Sequence, residues 1–220
     1  MSRSPQNQTL KLLRKARIEQ LRLRHGSSGS VVRSAPTGPV PVRTAPATPN
    51  PIPRPITSGR MPLYIYQSEA AFIVRTSRQF ESIETCWQLL GTSSPSGVTV
   101  ITYVVDCGPN AVHEPTFCQP DQDYLEREGS RLVQRYGLRH VGGAHSHHRL
   151  GLNVPSGYDV RTTMDGMRSE GLQRFVQMIV TYDDVNTRLN AFMFTPDGYE
   201  RMDLQVLLGT SPVRKMEESL

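Results

Sequence analysis

Long apolar runs are missing from this 220-residue chain. The longest, Val98 to Val105, is interrupted by Thr99 and Thr102 and falls well short of the roughly 20 residues that a helix needs to cross a bilayer. No transmembrane segment is expected. Cysteine is scarce and odd in number: Cys86, Cys107 and Cys118 lack the paired spacing of a sulfur-rich zinc site, which makes free, buried thiols in a reducing cytoplasm the expectation. A secretory leader is not expected either, because Lys and Arg break up Leu10 to Leu23 throughout. Acidic residues are nearly absent from the first 60 positions, where Glu19 stands alone against 11 Lys and Arg. No internal repeat is visible.

That last shortage reshapes the net charge of +5. The basic excess belongs to residues 1–60, while residues 61–220 hold 14 basic and 19 acidic residues. A mildly acidic folded part argues against a general nucleic-acid binder. An Arg-rich, acid-poor start also matches the composition of a mitochondrial presequence. Residues 8–25 have the composition of a basic helix with Leu10, Leu13, Ile18 and Leu21 partly on one side. Such a helix docks an acidic partner or a membrane surface, whereas its ragged face favours a solvated arm. Residues 26–60 are Gly/Ser-rich and then carry prolines from Pro36 to Pro55. This composition buries too little apolar surface to offset its ordering entropy, so residues 1–60 are expected to be a disordered basic, Pro-rich tail. A folded domain is expected over 61–210, with a flexible C-terminal tail over 211–220.

Within the domain, Leu63 to Tyr66 reads as a strand, and Ser68 to Phe80 shows helical spacing of Phe72, Ile73, Thr76 and Phe80. Trp87 to Leu90 and Val98 to Val105 read as strands joined by a Gly/Ser/Pro turn. Residues 107–119 are ambiguous, a loop with room for one further strand. Pro120 suits a first helical turn, Asp121 and Asp123 complement the helix dipole, and Gly137 is a natural stop. Leu138 to His147 is the next strand and 156–170 the next helix. Phe175 to Tyr182, Leu189 to Phe194 and Leu204 to Leu208 close the series. Short strand-turn-strand steps among helices predict an α+β (mixed α/β) fold, a mixed sheet with flanking helices.

The chemistry concentrates in Ala144-His145-Ser146-His147-His148 and the Pro155-Ser156-Gly157-Tyr158-Asp159 that follows. Two histidines one residue apart share a face of a strand, since strand side chains repeat with period two. By the same alternation His148 points away. Asp159, twelve residues after His147 and just past a proline, is placed to fold back as a third ligand. Two imidazoles and a carboxylate leave one position of a tetrahedral zinc open, which is the arrangement of a hydrolytic site. His113, His140 and His25 read as surface or packed histidines, and Trp87 as core.

Glu84-Thr85-Cys86-Trp87-Gln88-Leu89-Leu90-Gly91 adds a Glu opening a strand that ends in Gly. Together, Glu84, His145-Ser146-His147 and Ser156-Gly157-Tyr158-Asp159 resemble the JAB/MPN family of zinc metalloproteases, the JAMM proteases, in residue pattern and in order of elements over about 62–195. The chain differs from that pattern at His148, where proline is usual, at Gly143-Ala144, where an aromatic often stands, and in one surplus residue between His147 and Ser156. The resemblance implies one Zn2+ per chain held by His145, His147 and Asp159, with Glu84 as general base and acid and Ser156 steadying the oxyanion. It implies an isopeptidase or peptidase cutting after the C-terminal glycine of a ubiquitin-like protein, in deconjugation or precursor processing. The compact length is similar to bacterial JAB deubiquitinase-like proteins with activating and conjugating partners, and the cysteine usage noted above goes with a cytoplasmic location. The alternatives are a catalytically inactive MPN scaffold and a JAB-type hydrolase of a small amide metabolite.

Overall fold

Eight strands form one sheet in the order β10-β1-β3-β2-β6-β7-β8-β9 in this computed structural model, which describes residues 61–80, 82–147 and 151–220. In chain order the elements are β1 (Pro62–Tyr66), α1 (Gln67–Ser77) with a 3-10 turn over Arg78–Phe80, β2 (Cys86–Ser93), β3 (Thr99–Asp106), β4 (Val112–Glu114) and β5 (Phe117–Gln119). There follow α2 (Gln122–Tyr136), β6 (Arg139–Ser146), α3 (Gly157–Glu170), β7 (Phe175–Tyr182), β8 (Thr187–Thr195), β9 (Gly198–Arg201), β10 (Asp203–Leu207) and α4 (Pro212–Glu218). The mixed α/β reading thus holds, with parallel β10-β1-β3 and β6-β7 pairings and antiparallel pairings elsewhere in the sheet. No helix of the described residues is long and apolar enough to cross a membrane.

Alternation splits the sheet into two faces. On one, Trp87, Leu89, Ala144, Val176, Met178, Val180, Ala191 and Met193 pack with Ile73 of α1. On the other, Leu90 and Val105 pack with Leu125 and Leu132 of α2, while Ile179, Phe192 and Phe194 pack with Val160, Met164 and Met167 of α3. The row Gln88–Gly143–Gln177 crosses this second face where the two clusters part. A glycine is required at Gly91, where the register of β2 shifts and a Cβ would run into the Val100 carbonyl.

Four expectations need correction. The stretch 211–220 is not a flexible tail: 212–218 form α4, with Val213 buried and Arg214 in a two-pronged ion pair to the fully buried Glu69 at 3.0 Å and from Nη2 at 2.6 Å. Arg214 also stacks on Tyr103, 4.2 Å from its centroid, so packing across the chain orders a segment too short to show periodicity. The ambiguous stretch 107–119 carries a two-stranded hairpin, β4–β5. Pro120 precedes the helix, and the N-cap of α2 is Asp121, whose side chain accepts the Tyr124 N–H at 3.1 Å. The cysteines are not all free: Cys86 and Cys118 are disulfide-bonded, and Cys107 alone is a free, buried thiol. The expected basic helix over 8–25, the Pro-rich tail and His148 lie outside the described residues.

Candidate metal centre

Strand β6 ends at Ser146, flanked by β2 on one side and β7 on the other. Ser146 donates its N–H to the Thr85 carbonyl at 2.9 Å, but the return bond from the Thr85 N–H goes to Ser146 Oγ at 3.0 Å. One residue later the His147 N–H turns to Val180 of β7 at 2.8 Å. The fully buried Ser146 hydroxyl therefore substitutes for a backbone carbonyl and keeps Thr85 beside the end of β6. In the sequence Ser146 stands only as the residue between two histidines. Its one available signal was a small hydroxyl residue on the buried face of the strand.

Cys86 pairs with His145 in the β2–β6 register. By alternation from that pair, Glu84 two residues before Cys86 and His147 two residues after His145 fall toward the same face, and the Glu84 charge bears on His147. The strand spacing thus does what period two predicts. His145 Nε2 and His147 Nε2 stand 3.0 Å apart, and each faces Asp159, at 3.5 Å from Oδ1 and 3.3 Å from Oδ2 respectively. The Leu152 carbonyl accepts from His147 Nδ1 at 2.8 Å. That bond places the ring proton on Nδ1 and turns an unprotonated Nε2 toward Asp159 in the neutral imidazole.

Asp159 arrives from α3 through a capping box. Ser156 is the N-cap, its Oγ accepting the Asp159 N–H at 3.1 Å, and Asp159 Oδ2 accepts the Ser156 N–H at 2.7 Å. One carboxylate therefore serves helix initiation and the histidine pair together. Burial works to raise the Asp159 carboxyl, but hydrogen bonds with His145, His147 and Ser156 outweigh it and hold it well below the usual carboxylate range. Burial opposes charge on His147, yet Asp159, the Leu152 carbonyl and the nearby Glu84 charge together raise its pKa.

Glu84 is held from the far side. Its N–H donates to the Glu114 carbonyl at 2.8 Å, and its carbonyl accepts from His113 Nδ1 at 2.9 Å. Both partners belong to β4, so the small hairpin fixes the backbone of Glu84. His113 is therefore more than the packed histidine expected of it, although it does stack on Phe80 with centroids 4.2 Å apart. Trp87 is core as expected, its Nε1–H donating to Thr76 Oγ1 at 2.9 Å. His140 packs edge-on against Phe175.

All five residues singled out from the sequence come together. His145, His147 and Asp159 offer donor atoms within 4.8 Å of one another, Glu84 stands next to them, and Ser156 opens the helix that brings Asp159. An Nε2 pair at 3.0 Å facing a carboxylate suits a dication, because two lone-pair nitrogens at that separation need a positive centre or a shared proton between them. The donor set of two imidazoles and one carboxylate fits zinc.

No protein-family model matches the chain, and no curated protein matches it. Among solved structures the chain is similar to the solution structure of protein DSY2949 from Desulfitobacterium hafniense, with a TM-score of 0.55 and 15% identity over 67% of this chain and 94% of that chain. The likeness is one of fold.

Proposed function

We propose that the chain is a zinc-dependent peptidase or isopeptidase of JAB/MPN type, acting on the amide bond that follows the C-terminal glycine of a ubiquitin-like protein. The observation that carries this reading is the convergence of His145, His147 and Asp159 beside a backbone-clamped Glu84. His145, His147 and Asp159 would hold the ion. Zinc bound there supplies Lewis acidity, polarising a carbonyl and making water acidic near pH 7.

The chain's own residues supply the proton traffic. The Glu84 carboxylate takes the proton of the attacking water and returns one to the leaving amine, a role worth about 10²–10⁴-fold. Holding the Glu84 backbone at both its N–H and its carbonyl fixes where that carboxylate starts from, which is the positional precision such transfer needs. Asp159, kept ionised by its hydrogen bonds, offsets the charge of the ion without a proton of its own to lose. Ser156, once its Oγ has accepted the Asp159 N–H, retains a hydroxyl proton to donate to the developing oxyanion.

The test is cleavage of a ubiquitin-like protein fused through its C-terminal glycine, with zinc per chain measured on the same sample. Glu84→Gln should keep its zinc and lose activity by about 10²-fold or more. Full activity in that variant, or in protein stripped of metal, would overturn the reading. Hydrolysis of small amides with every ubiquitin-like fusion inert would transfer the chemistry to a metabolite.

A further inference from the structure

We propose a second metal site, closed and sulfur-rich, built from Cys86, Cys107, His113 and Cys118, that takes zinc and fastens the β4–β5 hairpin to the sheet. It does not depend on the catalytic reading above. Four donors come from four places in the chain: Cys86 at the start of β2, Cys107 just after β3, His113 on β4 and Cys118 opposite it on β5. Cys107, His113 and Cys118 already offer donor atoms within 4.8 Å of one another, and Cys86 is bonded to Cys118 with Cα atoms 6.0 Å apart.

The histidine is presented as a ligand should be. Its Nδ1 donates to the Glu84 carbonyl at 2.9 Å, so in the neutral ring the lone pair is on Nε2. That atom lies 3.6 Å from Cys107 Sγ, the separation of about 3.6 Å that Zn–N and Zn–S bonds of about 2.0–2.1 and 2.3 Å subtend at a tetrahedral angle. A metal-bound histidine typically donates its other ring N–H to a backbone carbonyl, as here. Thr85 Oγ1, 3.7 Å from Cys107 Sγ, is a hydroxyl placed to donate to a thiolate. Cys107 and Cys118 are buried, Cys86 and His113 are half-buried, and Phe80 stacks on the imidazole; four protein donors fill a tetrahedral ion and leave no position for water, so the site is structural.

The disulfide and the metal are alternative states of one cluster. A dithiol reductant gives two electrons and two protons to the Cys86–Cys118 bond and is itself oxidised to a disulfide. The two thiols so formed and that of Cys107 then release three protons as they bind Zn2+ with neutral His113, leaving a net charge of −1. In either state the hairpin that carries His113 and Glu114 stays pinned, and with it the backbone of Glu84.

The experiment uses the full chain, reduced with a phosphine and kept free of added thiol and chelator, and compares it with His147→Ala, Cys107→Ser and His113→Gln. Zinc per chain is expected at two, falling to one in each variant. If the catalytic site holds no metal, wild type carries one zinc that His147→Ala leaves in place and Cys107→Ser removes, and the sulfur site still stands. Zinc content untouched by Cys107→Ser and His113→Gln overturns the proposal. Should those variants fail to fold, cobalt replacement in the wild-type chain decides. The sulfur site gives a thiolate-to-cobalt charge-transfer band, which two imidazoles and a carboxylate cannot produce. A cobalt-loaded chain without that band also overturns it.

Discussion

On the proposed function Ser156 has two tasks, and a pair of substitutions separates them. As the N-cap of α3 it accepts the Asp159 N–H at 3.1 Å through Oγ, while its own N–H is bound by Asp159 Oδ2 at 2.7 Å. Alanine at an N-cap costs about 0.5–2 kcal/mol, whereas glycine costs only about a few tenths. Both remove the hydroxyl, and neither disturbs the main-chain half of the box, so Asp159 keeps one tether. Loss of an oxyanion donor costs about 10²–10³-fold in kcat, or about 3–4 kcal/mol of transition-state stabilisation. The two roles therefore predict different rankings. Ser156→Gly should unfold in urea within about 0.5 kcal/mol of wild type and keep its zinc. Its kcat on the ubiquitin-like fusion should nonetheless fall by about 10²–10³-fold, with KM little changed, because the bond lost is one made in the transition state. Ser156→Ala should match that kcat and be less stable by roughly a further 1 kcal/mol. A glycine variant with full zinc and kcat within a few-fold of wild type would refute the oxyanion role and leave Ser156 as a cap.

Three further outcomes are expected from the same geometry. Ser146→Ala strands the buried Thr85 N–H, which its hydroxyl satisfies at 3.0 Å, and should cost about 1–3 kcal/mol by urea denaturation; no change would mean that the β2–β6 boundary does not depend on that bond. Arg214→Met leaves the fully buried Glu69 without its cation and should cost about 3–5 kcal/mol, read as a lowered denaturation midpoint; a stability unchanged within error would make α4 a passive appendage. Burial pushes His140 down to about 4, so between about pH 6.5 and that value the unfolded chain binds a proton that the folded chain refuses. Stability contributed by His140 is therefore present above this window and lost as pH falls through it. Denaturation at pH 7 and pH 5 should show His140→Gln losing less stability on acidification than wild type, and equal losses would count against the burial.

What was legible in the sequence was legible for local reasons. His145 and His147 share a face because a strand alternates, and that holds whatever surrounds it. The helix over 156–170 is legible just past Pro155, and the capping box that starts it, Ser156 with Asp159, spans only three residues. Gly137 ends α2 in the left-handed region, φ 66°, as its position implied. The misses share the opposite property. Cys86 and Cys118 are 32 residues apart, and nothing in the chain between them signals their meeting. Arg214 orders α4 through a carboxylate 145 residues away, which no window over residues 211–220 contains. His113 has its meaning from Glu84 and Cys107, brought to it by a hairpin whose strands have three residues each. Helix and strand periods cannot speak about contacts that tertiary packing alone creates.

The one-residue surplus between His147 and Ser156 follows the same distinction. If a fixed count of residues positioned Asp159, the extra residue would move it off the histidines by several ångströms, yet its oxygens lie 3.5 Å from His145 Nε2 and 3.3 Å from His147 Nε2. The loop's length does not set that position, because both of its ends are tied independently. On one side the Leu152 carbonyl returns to His147 Nδ1 at 2.8 Å. On the other, the capping box fixes Ser156 against Asp159, and Val160, Met164 and Met167 seat α3 on the sheet. Asn153 and Val154, between those ties, are exposed, so one more residue there adds backbone in solvent at a small closure cost, since even doubling a loop costs only about 0.6 kcal/mol. The constraint on such a site lies in the i, i+2 spacing within the strand and the i, i+3 spacing within the cap, and the length of chain joining them is free to vary.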